Sequence, residues 1–261
     1  MLFRSVRGFD DDEPEPVEQL TLPERDSLDA YVTQSFPRGP HVGVLMHQLL
    51  ENIDFSAPVA AFDHAIDSLR ARLNLKAGDT PLLRQWLTAI LRQQLTPTGL
   101  TLQGVTCSDR SDELEFHFPV HGAPKLIETA KQFGYLTDLE TAPLQLEGMM
   151  TGSIDLLCRH QGRYYVIDYK TNHLGNAPLD YAAEALTASI RHHQYDLQYL
   201  LYCVAVKKIL ALRQPEVPFE DLFGGVVYLF LRGMTGSPDG GVHFDPVPIA
   251  LIEALEAGLN S

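Results

Sequence analysis

Two short segments joined by a glycine-containing tetrapeptide constrain the fold of this chain more than any other feature. The first covers residues 152–157 (Gly-Ser-Ile-Asp-Leu-Leu), and the second covers residues 164–170 (Tyr-Tyr-Val-Ile-Asp-Tyr-Lys). Between them, at residues 160–163, lies His-Gln-Gly-Arg, which is typical of a tight turn between antiparallel strands. The pattern therefore predicts a β-hairpin whose turn is centred on Gln161 and Gly162.

The register of this hairpin brings charged side chains together. With the turn at Gln161 and Gly162, Asp155 is expected directly opposite Asp168, with their Cβ atoms roughly 4.5–5.5 Å apart. Lys170 follows Asp168 by two residues, so it projects from the same face. Like charges directly opposed on a sheet are destabilising, and a divalent cation bound between them is the simplest compensation. The spacing thus predicts a metal-dependent hydrolase site.

Composition and cysteine usage restrict the class of protein. The chain has 261 residues, of which 45% are apolar and 21% are charged, as in ordinary globular proteins. No apolar run reaches the roughly 18–20 residues of a membrane helix, and the N-terminus lacks the apolar core of a secretory signal, so no membrane partner is expected. Cys107, Cys158 and Cys203 are odd in number and far apart, which argues against a disulfide framework or a four-cysteine cluster. A reducing, cytoplasmic location is expected.

The charge is unevenly distributed along the chain. The net charge of −14 argues against nucleic-acid binding by this chain alone, because phosphate binding is driven by Lys and Arg. Residues 151–213, however, carry seven basic and five acidic side chains, a net charge of +2. The segment that holds the expected site is therefore the one that an anionic substrate can approach.

Periodicity indicates the organisation of the chain. Residues 1–26 are rich in Asp, Glu and Pro and predict a flexible acidic lead-in or linker, followed by one domain over residues 27–261. Helical spacing is expected at 43–53, 58–75, 79–94, 125–133, 179–193, 195–213 and 248–258, and strands at 113–120, at 225–231 and in the hairpin. This order predicts an α/β fold: a mixed sheet flanked by helices, with an N-terminal helical portion.

Four motifs in a fixed order carry a resemblance to a known family. They are Gly-x-x-x-His at 43–47, Gly-x-Ile-Asp at 152–155, Asp-Tyr-Lys-Thr at 168–171 and Gln-x-x-x-Tyr at 198–202. Together they resemble the PD-(D/E)xK nuclease superfamily, and in particular its RecB branch, over roughly residues 40–255. The resemblance implies a restriction-endonuclease-like fold. The family often has a large apolar residue in place of Ser153 and Ser in place of Thr171, but neither difference touches an expected ligand.

The resemblance also implies a role for individual residues. The ligands of a Mg²⁺ ion would be the side chains of His47, Asp155 and Asp168 and the backbone carbonyl of Tyr169. Asp155, Asp168 and Lys170 would form the catalytic set. Gln198 and Tyr202 would lie beside the site, near the substrate, and Glu115 stands where the family tends to keep an acid in its first strand.

The implied activity is Mg²⁺-dependent hydrolysis of DNA, as an exodeoxyribonuclease acting in double-strand break repair and recombination. In this family, helicase domains feed the strands to the nuclease domain. The implied partners are DNA, RecB helicase domains, RecC-like and RecD-like subunits, and the RecA recombinase. The sequence itself has no GxxxxGK[ST] phosphate-binding loop, GxSxG elbow or HExxH helix, so it contains neither an ATPase motor nor those other hydrolase sites.

Several alternatives stay open on the residues alone. A nuclease-like fold can serve as an inactive docking module for partner subunits or a recombinase, and a stand-alone nuclease can carry the same motifs. His47 lies beside an apolar helix face and is also compatible with a core histidine. The i, i+4 spacing of Gln198 and Tyr202 occurs on any amphipathic helix.

Overall fold

The computed structural model describes residues 27–120, 123–139, 148–238 and 240–259. The predicted acidic lead-in at residues 1–26 lies outside the described residues. The N-terminal helical portion is present: residues Leu28–Ala30 form a short helix, α1, which continues as a π-helical turn at Tyr31–Ser35.

A five-stranded mixed sheet forms the centre of the fold. Its strands are β1 (Arg110–Val120), β2 (Gly148–His160), β3 (Arg163–Lys170), β4 (Phe223–Phe230) and β5 (Val242–Asp245). They lie in the order β1-β2-β3-β4-β5, and every neighbouring pair is antiparallel except β3 and β4, which are parallel. The chain crosses from β3 to β4 through two longer helices and one short helix, in the long crossover that a parallel connection requires. The predicted α/β class with a mixed sheet is confirmed.

The hairpin forms in the predicted register. Gln161 and Gly162 have φ values of 49° and 82°, so the two-residue turn has the left-handed conformation at both positions that a type I′ turn requires. Glycine at the second position adopts this conformation without steric cost. Five residue pairs from His160–Arg163 to Leu156–Ile167 have numbers that sum to 323. The turn therefore fixes which residues of β2 and β3 meet.

The longer helices follow the predicted periodicities closely. They are α2 (Pro40–Asn52), α3 (Asp63–Arg72), α4 (Thr80–Arg92), α5 (Ala123–Gln132), α6 (Ala183–His192), α7 (Tyr195–Arg213) and α9 (Ile249–Leu259), with the short α8 (Phe219–Leu222) before β4. The helix expected from residue 58 begins instead as a 3₁₀ turn over Val59–Phe62. Similarly, a 3₁₀ turn at Pro178–Tyr181 precedes α6.

Helices cover both faces of the sheet and bury a core on each. Apolar residues of α5, α6, α7 and α9 pack on one face, here called the first layer. Those of α2, α3, α4 and the N-terminal turn pack on the other face, the second layer. Within the part of the chain that the structure describes, no helix combines the length and apolar character needed to cross a membrane. The candidate site lies where α2, the hairpin and α7 meet.

Candidate active site

A kink in β1 and β2 shapes the site. Glu113 has a φ of 47°, which is uncommon for a residue other than glycine. The pairs on either side, Asp112–Leu156 and Leu114–Ile154, are intact, but Glu113 and Asp155 are not paired. Ile154 packs in the first layer although Leu156 packs in the second. In a regular strand, residues two positions apart face the same side of the sheet. Ile154 and Leu156 face opposite sides, so the regular alternation is interrupted at Asp155.

This kink corrects the predicted relation between the two carboxylates. The paired ladder of the hairpin stops at Leu156–Ile167, one pair before Asp155 and Asp168. Asp155 Oδ2 instead accepts a hydrogen bond of 2.9 Å from the backbone N–H of Tyr169. Burial opposes the charge of Asp155, but the His47 ring and the Tyr169 N–H outweigh it and lower the pKa of this carboxyl. Asp155 is therefore held as an anion at the edge between the two layers.

Helix α2 brings His47 to this edge from the second layer. The helix can approach the end of β3 closely because residue 43 is glycine: a Cβ there would lie 3.1 Å from Thr171 Oγ1. His47 Nε2 lies 2.9 Å from the carbonyl oxygen of Tyr169, and Nδ1 lies 3.5 Å from Asp155 Oδ2. Burial lowers the pKa of His47, but the hydrogen bond and charge of Asp155, with the charge of Asp168, raise it to about 9. The ring is thus an imidazolium at neutral pH.

Asp168 and Lys170 form a buried ion pair on the first-layer side of β3. Asp168 is 2% exposed and Lys170 is 6% exposed, and Lys170 Nζ lies 2.8 Å from Asp168 Oδ2. Apart from this ion pair, the buried Oδ2 atom has no hydrogen-bond partner among the described residues. Burial raises the pKa of Asp168 to about 6; the Lys170 charge opposes this shift and the Asp155 charge adds to it. A buried carboxylate in this state favours a cationic ligand.

Helix α7 supplies the remaining contacts of the lysine. Lys170 Nζ donates to Gln198 Oε1 at 3.2 Å, and the same oxygen accepts from the Tyr228 hydroxyl at 2.8 Å. Gln198 Nε2 donates to the Tyr202 hydroxyl at 2.9 Å. The i, i+4 pair predicted from the sequence therefore lies at the site, buried behind Lys170. A direct contact of Gln198 and Tyr202 with substrate stays a prediction.

A second group of ligand atoms lies beside His47. Single ligand atoms of His47, Glu51 and Glu113 all lie within 4.8 Å of one another. Burial and the charge of Glu113 raise the pKa of Glu51, as expected for two neighbouring carboxyls whose negative charges repel each other. Glu115, the acid suggested by the resemblance, is exposed, and it lies opposite Ser153 in the ladder between β1 and β2. The acid of β1 that belongs to the group beside His47 is Glu113.

Sequence reasoning missed Glu51 and Glu113 for different reasons. Glu51 follows His47 by four residues on α2, and this i, i+4 spacing on one helix face was a signal that could have found it. Glu113 reaches the site through its left-handed backbone conformation, for which glutamate carries no sequence signal.

The residues present fit a hard divalent cation. The expected set offers one imidazole nitrogen, two carboxylates and a carbonyl oxygen, and His47 lies against both Asp155 and the Tyr169 carbonyl. Among the described residues, however, it is His47, Glu51 and Glu113 whose ligand atoms all lie within 4.8 Å of one another, and the trio of His47, Asp155 and Asp168 is not that close. Oxygen-rich sets of this kind suit Mg²⁺ and similar ions. The His47, Glu51 and Glu113 group gives a second oxygen-rich set that shares the histidine.

The fold and the site agree with the comparison to known families. The family model of the PD-(D/E)XK nuclease superfamily matches residues 18–259. The chain belongs to this superfamily.

Several curated relatives of this chain are RecB subunits of the RecBCD enzyme. The chain is 37% identical to the RecB subunit of Escherichia coli over 238 residues, which cover 86% of this chain and 20% of that protein. It is 38% identical to the RecB subunit of Haemophilus influenzae over 84% of this chain and 18% of the relative. The RecB subunit of Mycobacterium tuberculosis is 33% identical over 85% of this chain and 24% of the relative. The chain thus spans about a fifth of the length of the relatives it matches.

Proposed function

We propose that this chain is a Mg²⁺-dependent DNA nuclease of the exodeoxyribonuclease type, over residues 27–261. The observation that carries the proposal is the buried Asp168–Lys170 ion pair beside Asp155 and His47. A lysine and two carboxylates at the end of a central strand can serve hydrolysis of a phosphodiester bond.

In this proposal His47, Asp155, Asp168 and the Tyr169 carbonyl hold the Mg²⁺ ion. The ion supplies a lowered pKa for a bound water and a Lewis acid for the scissile phosphate. The pKa of Asp155 is already lowered, so this carboxyl is an anion. Burial raises the pKa of Asp168, and the positive charge of a bound cation would lower it again by stabilising the carboxylate. The carboxylates are therefore preorganised for a cation, and the hydrogen bond from the Tyr169 N–H fixes the orientation of Asp155.

Lys170 acts on the water or on the phosphate. Its ammonium carries three N–H donors, and Asp168 and Gln198 lie within reach of two of them. The third is directed to the nucleophilic water or to a phosphate oxygen. In either role the charge of Lys170 stabilises the negative charge that develops on the phosphate in the transition state.

The proposal extends to the setting in which the nuclease acts. The matched relatives are named as subunits of the RecBCD enzyme, so we propose RecB helicase domains, RecC-like and RecD-like subunits and DNA as partners, with RecA as a further one. The net charge of −14 agrees with this setting, because the positive surface for a DNA strand can come from the partners. The acidic residues 1–26 would link the nuclease to a helicase. The three free cysteines are compatible with a reducing cytoplasm.

Cleavage of end-labelled single-stranded DNA tests the proposal. We expect the purified chain to cut at low salt with Mg²⁺ and to stop when the metal is removed by a chelator. Low salt is needed because binding to DNA phosphates weakens as salt rises, and a chain with a net charge of −14 has little such affinity to lose. A folded chain that fails to cut, alone and with helicase domains and RecC-like and RecD-like subunits, would contradict the proposal and favour the docking module.

Metal binding should release a proton from His47. Because the pKa of His47 is raised to about 9, the ring is protonated at pH 7 and must become neutral before it can be a ligand. The affinity for Mg²⁺ should therefore fall about tenfold for each unit by which the pH drops from 9 to about 6, and more steeply below 6, where Asp168 must also lose a proton. Titration calorimetry at pH 7 in two buffers of different ionisation enthalpy should show about one proton released per ion.

A His47→Gln variant should lose this proton release and most of the pH dependence above pH 7. The matched control is His117→Gln, which changes an exposed histidine of β1 and should behave like the unchanged protein. Equal proton release by both variants would remove His47 from the ligand set.

A further inference from the structure

We propose that Tyr195 is a positioning residue: its ring, with that of Tyr228, forms an aromatic wall that holds the ammonium of Lys170 at the reacting phosphate. This inference rests on the proposed function, because Lys170 acts there on the water or the phosphate. Tyr195 and Tyr228 lie outside the four motifs named above, and the resemblance implies no role for either residue.

The distances place the ammonium against both rings. Lys170 Nζ lies 4.1 Å from the centroid of the Tyr195 ring and 5.2 Å from that of Tyr228. Both distances are within the roughly 6 Å over which a cation is attracted to the negative face of an aromatic ring. Lys170 is 6% exposed, so water screens this attraction little. The wall thus supplies attraction to an ammonium that has few other partners.

Both rings are fixed in place by their own contacts. The Tyr195 hydroxyl donates to Asn172 Oδ1 at 3.2 Å, and the ring stacks on His193 with 5.2 Å between centroids. The Tyr228 hydroxyl donates to Gln198 Oε1, the oxygen that also accepts from Lys170. Because Tyr195 is the first residue of α7 and Tyr228 lies in the central sheet, each ring stands on a regular element. Sites built in this way are held more precisely than sites on loops.

A lysine needs such a wall more than other catalytic groups do. Its four-carbon stem is flexible, and the attraction of Asp168 alone draws the ammonium toward one carboxylate oxygen. The rings add a second constraint, so that the remaining N–H keeps one direction. Small displacements of a catalytic group lower rates by about 100-fold, so the loss of the wall should lower kcat more than it changes KM.

Paired substitutions separate the aromatic face from the hydroxyl. We expect Tyr195→Phe to keep kcat within about threefold, because the face of the ring remains. Tyr195→Leu should lower kcat by about 10- to 100-fold with little change in KM. The control is Tyr135→Leu, which removes another tyrosine whose hydroxyl donates to a carboxylate, Asp245, but which does not contact Lys170. Equal kcat for Tyr195→Phe and Tyr195→Leu would overturn the proposal.

A fluorinated series then tests whether the attraction is electrostatic. Phenylalanine with one, two and three fluorine atoms at position 195 keeps the shape of the ring while reducing the negative charge of its face. We expect kcat to fall stepwise with the number of fluorine atoms. A flat series would show that the ring acts by packing alone, and would overturn the proposal.

A readout that needs no cleavage separates this inference from the proposed function. Lysine methylene protons next to an aromatic face are shifted upfield in a proton NMR spectrum. We expect this shift for Lys170 in the unchanged protein and in Tyr195→Phe, and a smaller shift in Tyr195→Leu, where the more distant ring of Tyr228 remains. If the unchanged protein fails to cut DNA, both alone and with helicase domains and RecC-like and RecD-like subunits, but shows this pattern, the proposed function fails while the wall stands. A Lys170 spectrum unchanged in Tyr195→Leu would overturn the wall.

Discussion

An Asp168→Asn variant should lose metal-dependent cleavage of DNA by at least about 1,000-fold. Asparagine keeps the size of the side chain but removes the negative charge that binds a cation. It also removes the partner of Lys170, whose Nζ lies 2.8 Å from Asp168 Oδ2. The cation site would then lose a charged ligand and Lys170 its ion pair, so two contributions to transition-state stabilisation are weakened together. Initial rates on labelled single-stranded DNA, at saturating Mg²⁺ and low salt, measure the effect.

The same variant should remain folded. Burial raises the pKa of Asp168, so the carboxylate charge is costly in the native state, and a neutral amide avoids that cost. The ammonium of Lys170 keeps Gln198 and the rings of Tyr195 and Tyr228 as partners. Thermal unfolding followed by circular dichroism should therefore show a cooperative transition. A folded Asp168→Asn variant that cuts DNA at the unchanged rate would contradict the assignment of the active site.

A matched control distinguishes loss of this carboxylate from loss of any carboxylate on the domain. Asp109→Asn makes the same chemical change just before β1, where Asp109 accepts from Arg159 on the surface. Exposed ion pairs contribute little to stability, so this variant should fold and cut like the unchanged protein. If Asp168→Asn and Asp109→Asn lost cleavage to a similar extent, the loss would follow from removing a negative charge anywhere on the domain and not from the position of Asp168.

The hairpin shows what the sequence could predict about the site. The Gln-Gly turn and the alternation of apolar residues are local signals, and they predicted five pairs of the register correctly. The predicted opposition of Asp155 and Asp168 failed because it assumed a regular strand beyond those pairs. The kink depends on the left-handed conformation of Glu113 in the neighbouring strand, and nothing local to Asp155 signals that conformation.

The helices and the shortest strand also show which features local sequence signals can predict and which they cannot. Helix α7 begins and ends where its apolar spacing predicted, because 19 residues contain enough turns for the period to be unmistakable. Strand β5 has four half-buried residues and was not predicted, since so short a segment shows no period. The contacts of Lys170 with Gln198, Tyr195 and Tyr228 join β3 to α7 and β4. Contacts between elements that are distant in sequence depend on how the elements pack, which periodicity does not determine.

Arg232 is a further buried charge that sequence patterns did not single out. It is 1% exposed and follows β4. Its Nε donates to the Thr171 carbonyl at 2.9 Å, Nη1 donates to the Val32 carbonyl at 2.8 Å, and Nη2 donates to the Pro37 carbonyl. One guanidinium therefore joins the N-terminal turn, the segment leading into α2 and the residue after Lys170. This arrangement fixes the helix that carries His47 relative to the strand that carries Asp168.

Replacing Arg232 with leucine should lower the free energy of unfolding by about 3–5 kcal/mol. Leucine fills part of the space but leaves buried carbonyl oxygens without donors, each at a cost of about 1–3 kcal/mol before the structure relaxes. For a domain of this size that corresponds to a fall in Tm of about 10 °C. Urea unfolding followed by circular dichroism gives the free energy, and hydrogen exchange should show faster exchange of the amides in residues 28–36. These amides lose their anchor even where the sheet stays intact.

Two further variants make the Arg232 result specific. Arg232→Lys keeps a positive charge but offers a point donor in place of the planar fork, so it should recover only part of the lost stability. Arg84→Leu is the surface control, because Arg84 pairs with Asp63 while its side chain is 43% exposed, and we expect a change within about 0.5 kcal/mol. If Arg232→Leu were as stable as Arg84→Leu, the carbonyl contacts would not hold the N-terminal turn. The position of α2, and with it that of His47, would then depend on apolar packing in the second layer alone.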